Sequence, residues 1–186
     1  DNSYPVVILS VGRLVEKKGY DILLNSLSLL PKELNWKLEH IGSGPLNNRL
    51  KKLSNKLGLN KKINWNGTLT QDEILKFYKQ SDIFILASKV TLSGDRDGMP
   101  NVLMEAQSQG LACISTSLPS IKELIINNIS GILVESESVN ELKEAIIELI
   151  NNPIKRKKIG LEGQKRLKEK FSMHYGIEKI AKLLLK

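Results

Sequence analysis

The sequence predicts an α/β fold built on a mostly parallel, six-stranded sheet with helices on both faces. Two observations carry this. Short β-branched runs alternate with helical patterns along the chain, and six such runs separated by five helices suit crossover connections rather than hairpins. A third fits them: 186 residues are enough to bury one core.

The expected strands are VVILSVG (6–12), WKLEHIG (36–42), KINWNG (62–67), DIFILAS (82–88), ACIST (112–116) and GILVE (131–135). Between them lie GYDILLNSLSLLPKE, PLNNRLKKLSNKLG, TQDEILKFYKQS, PNVLMEAQSQG and SIKELIINN, each with apolar residues at helical spacing. Leu46, Leu50, Leu53 and Leu57 recur on one helical face, and Thr70 with Glu73 has the form of a capping box. Two further helices, SVNELKEAIIELINN and PIKRKKIGLEGQKRLKEKF, precede a last one from Ser172 to Lys186. No internal repeat or low-complexity linker interrupts the pattern.

Composition excludes several classes. No apolar run approaches the ~20 residues of a bilayer span. The single Cys113, in LACIS, has no partner for a disulfide and reads as a buried structural thiol. His40 and His174 lack ligand-spaced neighbours, so no metal site is expected. The net charge of +8 is confined to residues 151–186, which hold eleven basic and three acidic side chains. That segment is either a solvated helix face or a surface attracted to anionic membrane. Nucleic acid is not expected, because no aromatic platform accompanies the charge. The start at Asp1-Asn2-Ser3 suggests a piece cut from a longer protein.

In open α/β sheets, ligands bind outside the carboxyl ends of the strands. The loops GRLVEKKG, GSGP and SKVTLSGDRDGMP leave such ends and gather Arg13, Lys17, Lys18, Gly42, Gly44, Asp97 and Glu105 along one rim. Within GDRDGMPNVLMEAQSQG, Pro100 suits a first helical turn, leaving the amides of Asn101, Val102 and Leu103 free to hold an anion. Glu105 leans back toward that helix end, and Asp97 approaches from the other side. Two carboxylates repel phosphate but accept hydroxyl hydrogen bonds, while Arg13 and Lys18 supply cations. The ligand this describes has a diphosphate flanked by polyhydroxylated groups, as a nucleotide-sugar does. Taken singly, Asp97 could instead complement a helix dipole, Glu105 could form a surface salt bridge, and GSGP could be a plain turn.

At this point ILSVGRLVEKKGYDILLNSLSLL, HIGSGPLNNRLKKLSNKLGL, INWNGTLTQDEILKFYKQSDIFILAS and DGMPNVLMEAQSQGLACIST resemble, in order and spacing, the C-terminal domain of family 4 retaining glycosyltransferases. The resemblance implies one Rossmann-like half of a GT-B fold over residues 5–170, with 171–186 as a crossover helix and the N-terminal domain outside this chain. It implies that Arg13 and Lys18, beside Gly12, hold the donor diphosphate and stabilise the leaving group. It places Asp97 on hydroxyls of the transferred hexose or N-acetylhexosamine and Glu105 on the ribose. Amides of Gly98, Met99, Asn101, Val102 and Leu103 line the site, and Leu69 borders the base.

The implied partners are a UDP- or GDP-linked sugar, a glycan or lipid-linked acceptor and the N-terminal half. No metal or other cofactor is implied, and the setting is the cytoplasm, including the inner face of the plasma membrane. Asp97 stands where the family usually has Glu, and PSIKE replaces its Gly-Gly-x-Pro-Glu turn. Alternatives are a non-catalytic nucleotide-binding or regulatory module of the same fold, a membrane-surface adaptor, and a dinucleotide-dependent dehydrogenase. The last lacks its G-x-G-x-x-G loop.

Overall fold

A computed structural model of the chain describes residues 4–171. The expected crossover helix lies, from residue 172 onward, outside the described residues. The strands are β1 (Val6–Val11), β2 (Trp36–Ile41), β3 (Ile63–Trp65), β4 (Ile83–Leu86), β5 (Ala112–Thr116) and β6 (Ile132–Val134). All pair in parallel, in the order β3-β2-β1-β4-β5-β6. The helices are α1 (Tyr20–Ser28), α2 (Asn47–Lys56), α3 (Gln71–Gln80), α4 (Asn101–Ser108), α5 (Pro119–Leu124), α6 (Val139–Asn151) and α7 (Pro153–Lys170).

The central strands β1 and β4 read as near-continuous apolar runs, VVILSV and IFIL, because both faces are covered. Alternate residues feed two cores. Ile8, Leu38, Ile83 and Ile85 pack with Leu23, Leu24 and Leu27 of α1 and Ile146 of α6. Leu9, Ile41, Phe84 and Leu86 pack with Tyr78 of α3, Leu103 of α4 and Ile121 of α5. Cys113 is fully buried in the second core, and that burial pushes its thiol above the ordinary range. Its place there bears out the structural reading.

Local signals mostly end the helices where expected. Thr70 caps α3 with the full reciprocal box: its side chain accepts from Glu73 N–H, and Glu73 Oε2 accepts from Thr70 N–H at 2.8 Å. The segment 120–128 departs from expectation, since α5 starts one residue earlier at Pro119 and stops at Leu124. Asn128 at φ 60 and the turn from Ile126 to Ser130 carry the chain back to β6 instead. The α7 helix lies against α4 and β5, with Gln164 Nε2 donating to Ser108 O at 2.7 Å. Among the described residues, no helix is long and apolar enough to cross a membrane.

Candidate nucleotide-sugar site

Strand order reverses between β1 and β4, and this opens a crevice at their carboxyl ends. The loops after these two strands are locked together there. Gly19 has φ 62, and a Cβ on it would stand 1.9 Å from Ala87 O, so backbone and neighbour alike exclude a side chain. Lys89 N–H donates to Lys17 O at 2.8 Å across the same contact.

The GSGP loop, which alone looked like a plain turn, buttresses the first loop. Gly42 has φ 134, and a Cβ there would lie 2.0 Å from Gly12 O. Leu14 N–H donates to Ser43 O at 3.1 Å, and Leu46 N–H returns to Leu14 O at 3.0 Å. The loop bearing Leu69 is tied on in turn: Gly42 N–H donates to Gly67 O at 2.7 Å, and the Ser43 and Thr68 hydroxyls meet at 3.0 Å. Leu69 itself is half-buried against the second core.

On this scaffold Lys18 and Asp97 meet directly. Lys18 Nζ donates to Asp97 Oδ2 at 2.9 Å, and Ser88 Oγ donates to the same oxygen at 2.5 Å. The side chains are only 14% and 9% exposed, so each charge needs the other. Asp97 Oδ1 has no hydrogen-bond partner among the described residues. Sequence reasoning put Lys18 on a phosphate and Asp97 on a sugar; in the structure they satisfy one another. Arg13 is exposed on the loop and makes no ion pair or side-chain hydrogen bond among the described residues.

Beneath them lies a polar cluster that the sequence did not announce. The Tyr20 hydroxyl is buried without a hydrogen-bond partner, 2.9 Å from where a Cβ on Gly12 would stand. Burial, and then the charge of Asp97, raise its phenol well above the ordinary range. The Tyr20 ring meets His40 edge-on at 4.7 Å, and His40 Nδ1 shares a proton with Ser10 Oγ at 2.8 Å. Burial lowers the imidazole to about 3, so it is neutral near pH 7.

On the other side, Glu105 is half-buried one turn into α4. The Tyr78 hydroxyl lies 3.1 Å from Glu105 Oε2 and 3.2 Å from Val102 O. Burial, and then the Glu105 charge, raise the Tyr78 phenol, which therefore stays a donor. One carboxylate oxygen is thus fixed and Oε1 is left open. The signal for Tyr78 was present: a tyrosine on the buried face of a helix needs a partner for its hydroxyl.

The helix end differs in one respect from expectation. Pro100 is the N-cap, outside the first turn, with φ −78 and ψ 115. Leu103 N–H donates to Pro100 O at 3.0 Å in a tight first turn, so it is not a free amide. The amides of Asn101 and Val102 have no partner among the described residues, which leaves two donors instead of three. Met99 is half-buried and Gly98 exposed in the approach to this end. Ser120 Oγ donates to Gly98 O at 3.0 Å, so the departed PSIKE loop still braces the approach.

Among the described residues, no group of three or more His, Cys, Asp and Glu is placed to hold a metal ion. A small cavity of about 110 Å³ lies beside the first loop, bounded by Tyr20, Asp21, Arg49 and Lys89. It is too small for a nucleotide, so the rim rather than this pocket is the candidate site. Lys89 fills its edge as a buried strut, reaching Asp21 at 3.2 Å.

Residues 2–166 match the family model for glycosyl transferases group 1. The chain is 30% identical over 181 residues to the amylovoran biosynthesis glycosyltransferase AmsK of Erwinia amylovora, covering 97% of this chain and 44% of that protein. It is 30% identical over 143 residues to the putative colanic acid biosynthesis glycosyltransferase WcaL of Escherichia coli, covering 76% and 35% respectively. The chain therefore spans less than half the length of these relatives.

Among solved structures, Anabaena HepE in complex with UDP superposes with a TM-score of 0.86 at 20% identity, over 98% of this chain and 49% of that one. The C-terminal domain of the Francisella tularensis group 1 glycosyl transferase LpcC gives 0.80 at 24% identity, over 91% and 89%. The second match is to an isolated C-terminal domain of nearly the same extent. The parallel sheet, its switch-point rim and these matches agree: the chain belongs to the group 1 glycosyl transferases and has the Rossmann-like fold of the C-terminal half of a GT-B enzyme.

Proposed function

We propose that this chain is the donor-binding half of a retaining glycosyltransferase. It moves a hexose or N-acetylhexosamine from a UDP- or GDP-linked sugar to a glycan or lipid-linked acceptor in the cytoplasm. One observation carries the reading: Lys18 and Asp97, 79 residues apart, converge at 2.9 Å in the crevice between β1 and β4. The names of the relatives support the choice of class. AmsK and WcaL are named for polysaccharide biosynthesis, and HepE was solved with UDP and with UDP-glucose.

In this reading an arriving diphosphate draws Lys18 away from Asp97 and is clamped between Lys18, Arg13 and the amides of Asn101 and Val102. Asp97, still held by Ser88, then accepts hydroxyls of the sugar. Glu105, steadied by Tyr78, offers Oε1 to the ribose. As the sugar–phosphate bond breaks, negative charge grows on the departing diphosphate, where preorganised cations and amides stabilise it most. Those groups do the work that a metal ion does elsewhere, and the reading uses no metal. The acceptor site is formed with the N-terminal half.

Calorimetry of the chain with UDP, GDP and ADP tests this. At least one nucleotide should bind with measurable heat, and Lys18→Ala should weaken it by about tenfold or more. No binding by any of the three sinks the donor-site reading. Radiolabelled transfer by the full-length protein separates an enzyme from a non-catalytic nucleotide-binding module, which would bind donor and transfer nothing.

A further inference from the structure

The cations of helix α7 from Lys155 to Lys168 fall into two sets. The first is occupied. Lys155 pairs with Glu148 at 2.5 Å, Arg156 donates to Leu149 O at 2.7 Å, and Arg166 donates to Leu124 O and Glu123 O at 2.8 and 2.7 Å. The second set, Lys157, Lys158, Lys165 and Lys168, is exposed and makes no ion pair or side-chain hydrogen bond among the described residues.

Those four are not scattered. With Ile154 and Leu161 they recur at helical spacing and fall within about 100° of the helix circumference, at ~100° per residue. Ile154 is 82% exposed and Leu161 53%. The helix's carboxylates, Glu162 and Glu169, border this arc on its Lys158 side and do not enter it. Ile129, also 53% exposed, lines a shallow cavity together with Ile154 and Lys158, with Glu162 at its margin.

A merely solvated helix face interleaves both signs of charge and leaves large aliphatics out. This stripe has one sign and carries exposed isoleucine and leucine among its lysines. Lysine stems can lie along apolar groups while their heads reach anionic ones. Nucleic acid would want aromatic platforms, and the stripe has none.

We propose that the outer stripe of α7 docks on an anionic lipid surface. Ile154 and Leu161 enter the headgroup layer, and Lys157, Lys158, Lys165 and Lys168 meet lipid phosphates. The inference does not depend on the donor-site reading. It gives that site a fixed position at the membrane, because Gln164 ties α7 to the carboxyl end of α4.

The test is co-sedimentation of the full chain with vesicles of one part phosphatidylglycerol to two parts phosphatidylcholine. Binding should vanish on pure phosphatidylcholine and at about 0.5 M salt. K157Q/K158Q/K165Q/K168Q should lower partitioning by about 50-fold or more, and I154S/L161S by about fivefold. A charge-matched control on α2 and the turn after it, K51Q/K52Q/K56Q/K61Q, should stay within about threefold of the parent.

Thermal unfolding and nucleotide calorimetry on each variant verify that fold and donor site are intact. Equal losses in the two quadruple variants would reduce the effect to net charge and overturn the proposal. So would absence of vesicle binding by the parent chain, binding indifferent to lipid charge, or capture by soluble polyglutamate but not by vesicles.

Discussion

The crevice between β1 and β4 and the outer stripe of α7 are both lysine-bearing, yet they treat that charge in opposite ways. At the crevice Lys18 is mostly buried, paired with one acid, and surrounded by Ser88, Tyr20 and glycine-lined backbone. On α7, four lysines stand in solvent without partners among the described residues. Buried charge constrains the fold around it, so changes at the rim should alter stability and, in the proposed reading, nucleotide binding together. Charge in water constrains nothing locally, so changes on the stripe leave folding alone.

The largest break in this comparison should come from Gly19→Ala. Its Cβ has nowhere to go beside Ala87 O, and unfolding in urea should show a loss of about 3 kcal/mol or more. The stripe variant K157Q/K158Q/K165Q/K168Q should stay within about 0.5 kcal/mol of the parent in the same experiment. A comparable loss there would erase the distinction.

Acid should come next. Burial holds His40 at about 3, against 6.5 for a free imidazole, so the unfolded chain binds a proton that the folded one refuses between these values. Stability tied to His40 is therefore complete above pH 6.5 and falls as pH drops toward 3, by about 1.4 kcal/mol per pH unit. Denaturant titrations from pH 7 to pH 4 should show a steeper acid loss in the parent than in His40→Gln, and the excess belongs to His40.

Lys18→Ala should destabilise the free chain by about 2 kcal/mol, because it leaves Asp97 buried with Ser88 alone. Adding Asp97→Asn should restore part of the loss, a coupling that a double-mutant cycle measures. Calorimetry should then give the smallest pair of effects. Asp97→Asn should tighten UDP binding by about fivefold by releasing Lys18, while Tyr78→Phe should weaken it by about fivefold by freeing Glu105 to wander. Weaker binding in Asp97→Asn would mean that the ion pair does not compete with the ligand.

How much of this was legible depended on the range of the forces. Strands, most helix positions and the Thr70 capping box follow from neighbours a few residues apart, so the sequence displays them directly. The rim itself was legible because strand ends in a parallel sheet must share an edge. What the letters hid were partners chosen by tertiary packing. Ser88 and Asp97 meet across a loop, Tyr78 reaches Glu105 from another helix, and GSGP gains its meaning only when pressed on Gly12. The free amide expected at Leu103 failed for a subtler reason: placing Pro100 one position earlier let the first turn tighten onto its carbonyl.

The Lys18–Asp97 contact also bears on the sequence of events during binding. In the proposed donor reading, a free monosaccharide is uncharged and would meet only Asp97 Oδ1, leaving the ammonium on Oδ2. A molecule that brings its own anion would draw Lys18 away as well. Selectivity for an activated donor over the abundant free sugar would then be written into two side chains before any catalysis begins.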